Sequence, residues 1–146
     1  MCVLISVLQF ACVYTECKDM KTLTITRKRK FASALMPFWI IVSRETRQAF
    51  MDAHGIESPL GTHDALGQPV PRIAVEELDQ IGIRISNGQT IEVPVEDDAV
   101  SLFVSTMDGS LSNEIRPDTM TGRTLVITVR GGFTTVSYPY LEELQK

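Results

Sequence analysis

Two histidines are the natural place to look for chemistry in this sequence. His54 closes the stretch "FMDAHG", and His63 stands beside Asp64 in "GTHDALG". Together with Asp52 they offer two imidazoles and two carboxylates, a donor set suited to a divalent metal or to acid–base work at a pocket mouth. The spacing argues for neither. Histidines nine residues apart across a helix end match no ligand motif, and a histidine in a last helical turn is explained by the helix dipole alone. Glu76-Glu77 and Glu96-Asp97-Asp98 supply adjacent carboxylates, but such acids on a helix surface or in a turn are ordinarily solvated. There is no phosphate-binding glycine loop, no Gly-x-Ser-x-Gly elbow and no Cys-x-x-Cys pair. No catalytic residue, metal or cofactor is therefore expected. His54, His63 and Asp64 stay as binding candidates only.

The second concentration of reactive side chains is the basic run Arg27, Lys28, Arg29 and Lys30, in "TITRKRKFASALMPFWIIV". Leu23 and Ile25 alternate with threonines at the period of a half-buried strand. Thr24, Thr26, Lys28 and Lys30 then share one face. Arg27 and Arg29 continue the Leu23/Ile25 face, so they are expected to leave the core at a bulge or at the strand's end. Four cations there read first as a solvated edge that discourages strand pairing, and second as a contact for an anionic partner. The following run, Phe38 to Val42, reads as a buried strand entered at Pro37, with Trp39 in the core.

These residues must be positioned by a mostly β scaffold. "SRETRQAFMDAHG" reads as a helix with Ser43 at its N-cap and Gly55 at its end. A Gly/Pro-rich loop follows, and "RIAVEELDQIG" predicts a short helix ending at Gly82. Residues 43–82 are thus an insertion between strands. Asn87-Gly88 then sits between two alternating segments, the signature of a two-residue hairpin. "AVSLFVS" gives a further strand, and "TLVITVRGGFTTVSYPY" a closing hairpin over residues 124–140 whose return strand carries no charge. The expected fold is a small antiparallel β-sandwich, or a partly open barrel, of six to eight strands with a helical and loop insertion.

At 146 residues the chain is one domain's worth, with 44% apolar and 22% charged residues. Its net charge of −4 is divided unevenly: residues up to 47 carry a local +5 and the remainder a local −9. That balance does not suit a nucleic-acid binder. It does allow chains to attract one another head to tail. Cys2, Cys12 and Cys17 all fall in residues 1–19, a mostly apolar stretch too short to span a bilayer and lacking the marks of a signal peptide. The change of pattern predicts that the domain proper is 20–146 and begins at Met20, with 1–19 an extension.

Arg27 to Phe31, Asn87-Gly88 and Pro94 to Asp98, taken together, resemble small bacterial β-sandwich domains of unknown function, loosely similar to PEGA-type modules. That resemblance covers some 60 residues in two pieces, and residues 43–82 depart from it. It implies a fold and a non-catalytic accessory role, and it transfers no catalytic residue. The expected activity is therefore a binding or interaction module for a protein partner or for itself in a homo-oligomer. The alternatives are a ligand-binding domain or enzyme with 43–82 as a lid, and an anionic-surface binder acting through Arg27 to Lys30. The expected compartment is cytoplasmic. Secretion or membrane-surface contact becomes an option only if residues 1–19 belong to the mature chain.

Overall fold

The structure, a computed structural model, describes residues 20–30, 36–60, 65–66, 73–107, 109–130 and 138–144. The described residues form seven strands: β1 (Met20–Arg27), β2 (Phe38–Ser43), β3 (Ile83–Ile85), β4 (Thr90–Glu96), β5 (Ser101–Ser105), β6 (Thr124–Arg130) and β7 (Tyr138–Glu143). Two helices, α1 (Arg47–His54) and α2 (Val75–Ile81), lie between β2 and β3. The strands make a four-stranded sheet in the order β4-β1-β6-β7 and a three-stranded sheet in the order β3-β2-β5. The β-sandwich expected from the sequence is the one found. All pairings are antiparallel except β1 with β6, which is parallel.

The continuous apolar run of β2 has a simple cause. Phe38 and Ile40 face the main core between the sheets, with Leu23, Ile25, Val93, Leu125 and Ile127. Trp39 and Ile41 face the opposite way, into a second core with Phe50, Met51, Leu78 and Phe103. A strand buried on both faces has no polar side to alternate with. The helices of the 43–82 insertion thus form a third layer over the three-stranded sheet. Each fully buried side chain of this kind contributes about 1.5–3 kcal/mol.

Trp39, expected in the core, is fully buried, and its indole N–H donates to Asp79 Oδ1 at 2.8 Å. Asp79 also accepts from Arg84 Nη2 at 3.0 Å, so one α2 carboxylate ties the helix to β2 and β3. The bond from Trp39, then those from Arg84, hold Asp79 below the usual carboxylate range. The joint after α2 is tight. A Cβ at Gly82 would lie 3.1 Å from the Ile40 carbonyl oxygen and 3.2 Å from Trp39 Cβ.

Several local expectations are corrected. The N-cap of α1 is Thr46, whose hydroxyl accepts from Ala49 N–H, while Ser43 ends β2. Asn87-Gly88 does make a turn, closed by Gln89 N–H on the Ser86 carbonyl, but β3 and β4 join different sheets and form no hairpin. Ile81 is the last residue of α2 and is exposed, as is Ile83. The most consequential correction is Arg27. It does not leave the core: it stays in register opposite Ile127 and is 1% exposed. Its Nη1 donates to the Ile85 carbonyl at 3.0 Å, and its guanidinium carbon lies 3.7 Å from the centre of the Phe38 ring. A delocalised cation tolerates burial when its edge finds carbonyls and its face an aromatic ring. Burial still pushes its pKa down from the ordinary value.

Candidate functional site: the open side between the sheets

The basic run splits three ways. Arg27 is internal; Lys28 and Lys30 are exposed at the end of β1; Arg29 lies over the turn. At Gly88, φ is +78°, so the turn needs glycine for its backbone, and a Cβ there would come 3.1 Å from Nε of the exposed Arg29 side chain. Lys30 N–H donates to Asn87 Oδ1 at 2.9 Å, which pins the chain to the same turn. Lys28, Arg29 and Lys30 are all exposed at this end, where Arg130 closes the parallel strand β6.

Of the histidine cluster, His54 and Asp52 are among the described residues. His54 faces two acceptors, the Phe50 carbonyl at 3.0 Å and Glu77 Oε2 at 3.1 Å, so it joins α1 to α2. Its ring lies 4.3 Å from Phe50. His63 and Asp64 lie outside the described residues. No group of three or more His, Cys, Asp or Glu able to hold a metal occurs among those that are described.

The sequence missed a groove. At the far end of β1, Met20 pairs with Glu96, and Arg44 spans Glu96 and Asp98 at 3.2 and 3.1 Å. Beside this lies a cleft of about 250 Å³ lined by Val42, Ser43, Arg44, Pro94, Glu96, Asp98 and Ala99. Through Val42 and Pro94 it continues into a second cleft of about 200 Å³ against Ile40, Ile81, Gly82 and Ile83. A smaller hollow of about 80 Å³ adjoins the first at Glu96 and Ala99, with Lys21, Asp97 and Asp118 around it.

Both walls of this groove present backbone. Arg27 N–H donates to the Gln89 carbonyl, so the odd-numbered residues of β4 exchange bonds with β1. Thr90, Glu92 and Pro94 therefore turn their backbone outward, while the Glu96 carbonyl accepts from Ala99 N–H in the next turn, and Pro94 removes one donor from the middle of that edge. On the other wall, Leu102 exchanges both its bonds with Ile115, which turns its register partner Val42 away from β5. Pairing with β3 ends at Ile40, one step short of Val42. The N–H and carbonyl of Val42 thus point into the gap. A proline within "EVPVE" was the available sign, because a proline inside a strand marks an edge.

The β5 and β7 edges are covered. Segment 110–115 bridges β5, and the Asn113 side chain bonds the outer side of β7. No protein-family model, curated protein or solved structure matches this chain. No described helix is long and apolar enough to cross a membrane.

Proposed function

We propose that the protein is a non-catalytic interaction module that seats a protruding segment of a protein partner in the groove between β2 and β4. The observation that carries this reading is the coincidence of a cleft of mixed polar and apolar lining with outward backbone groups on both walls, from Val42 and from Glu92 and Pro94. Backbone donors and acceptors give a peptide affinity, and small pockets beside them give specificity. The packing of α1 and α2 onto the three-stranded sheet supports this over a lid, since the helices are engaged with a core of their own. The resemblance to PEGA-type modules points the same way. A cytoplasmic setting fits the reading and forms part of the proposal. Binding to an anionic surface through Lys28, Arg29 and Lys30 is the second reading, favoured by the exposure of those cations at one end.

Selection from a displayed random-peptide library tests the groove directly. Enriched peptides are expected to shift the backbone amide resonances of Val42, Glu92 and Glu96 and to lose binding in Val42→Glu. Peptides that shift a different surface, or a library that enriches nothing, would overturn the reading.

A further inference from the structure

The two ends of the β1–β4 pair differ in charge and in shape. At one end Lys28 and Lys30 are exposed, with Arg29 beside them. Phe38 pairs with Ile85, whose carbonyl Arg27 holds, so β2 begins at this same end. Met36, two residues before Phe38 and 38% exposed, is therefore an apolar projection next to the lysines. The other end is the groove, with Val42, Pro94 and Ala99 on its floor and Arg44 paired with Glu96 and Asp98, and beside it the smaller hollow, where exposed Asp97 and Asp118 stand around Lys21. One end has the apolar projection and the cations; the other has the hollows and an excess of acids, Glu96, Asp97, Asp98 and Asp118 against Lys21 and Arg44.

We infer that the partner seated in the groove is a second copy of this chain, joined head to tail. This rests on the interaction-module reading above and adds the identity of the partner. β1 has eight residues, so the ends stand about 25 Å apart. That is about three Debye lengths at physiological ionic strength. The opposite charges are screened from each other within one molecule and remain available to a neighbour. In the contact, Lys28 and Lys30 of one copy reach Asp97 and Asp118 of the next, and Met36 covers the Val42–Pro94 floor. The lysine ammonium groups also find the outward carbonyls of Val42 and Pro94. Because the two surfaces differ, the contact is heterologous and does not close at two copies.

Sedimentation velocity at several protein concentrations is the test. In about 20 mM salt the wild-type mass is expected to rise past that of a dimer of the 16.3 kDa chain, and in about 500 mM salt to fall back towards it. Two charge-reversed variants sharpen this: Lys28→Glu with Lys30→Glu, and Asp97→Lys with Asp118→Lys. Each is expected to be monomeric alone, and their mixture to regain growth, since each restores the other's complement. Circular dichroism melting checks that both are folded. Growth that stops at a dimer, association indifferent to salt, or a silent mixture would overturn the inference. A wild type that stays monomeric while selected peptides still occupy the groove would remove the second copy as partner and leave the module reading standing. If no peptide engages the groove either, both readings fall.

Discussion

The side-chain amide of Asn113 closes on the backbone of Leu141 from both directions. Nδ2 donates to the Leu141 carbonyl at 2.9 Å, and Leu141 N–H donates to Oδ1 at 2.8 Å. Leu144 N–H bonds the Thr124 carbonyl, which places Leu141 among the outward-facing residues of β7. The amide therefore stands in for a missing neighbour strand, and Pro139, also outward-facing, has no N–H to offer. In the sequence, Phe133 to Tyr140 carry no charge, a composition that suits an association edge. Pairing there has to displace Asn113 first.

Asn113→Ala is expected to lower stability by about 1–3 kcal/mol, since it leaves two backbone groups without their partner. Hydrogen exchange gives the sharper check. The Leu141 amide should exchange much faster in the variant while the Ile127 amide is unchanged. Unaltered protection at Leu141 would contradict the assignment.

Arg27→Ala should cost about 3 kcal/mol, because a large internal side chain and its bond to the Ile85 carbonyl are lost together. Urea unfolding measures it. A loss below about 0.5 kcal/mol, the size expected at an exposed site, would show that the guanidinium is not internal.

Gly82→Ala tests space rather than backbone conformation. The φ at Gly82 is −138°, open to any residue, yet the added methyl meets Ile40 O, Ile41 Cγ1 and Trp39 Cβ at 3.1–3.2 Å. The expected loss is about 1–3 kcal/mol. Trp39 fluorescence should shift as β2 and α2 part. An unchanged melting temperature would mean the joint is loose.

Acid should weaken the fold through two carboxylates. Glu143 Oε2 accepts from Gly122 N–H at 2.8 Å, and from the backbone N–H and hydroxyl of Thr121, which hold it below its usual range. Asp79 is held low by Trp39 and Arg84. Free Asp and Glu side chains titrate near pH 4, so just below that the unfolded chain binds protons that the folded chain does not. The stabilisation is complete above about pH 5 and is lost as pH falls through about 4 toward the folded values. Urea midpoints measured across this range should fall in the wild type and less steeply in Asp79→Asn with Glu143→Gln. Parallel curves would refute the attribution.

Much of the fold was legible because period-2 patterns report which face a residue occupies. Leu23, Ile25, Leu125 and Ile127 are inside as their alternation indicates. The same signal says nothing about which strand lies alongside. Asn87-Gly88 therefore looked like a hairpin, although its two strands part into different sheets, and the parallel β1–β6 pair had no local sign at all. Arg27 was misread because a cation on a core-facing position is ordinarily expelled, and neither the Phe38 face nor the Ile85 carbonyl beneath it is adjacent in sequence. The groove belongs to the same class. It exists only where two edges brought together by the tertiary fold fail to meet.

The position of β1 between β4 and β6 has a kinetic consequence. Thr24 is bonded in the sheet opposite Glu92 on one side and Thr124 on the other, partners about 70 and 100 residues downstream. A strand synthesised well before either neighbour is thus among the last to be satisfied, and such long loop closures make for slow folding. During that interval a segment alternating Leu23 and Ile25 with threonines stands unpaired, the kind of sequence that nucleates aggregation. The cations from Arg27 to Lys30 sit directly at its end, as gatekeepers do. Their first service to the chain precedes the native state: they keep β1 single until its partners arrive.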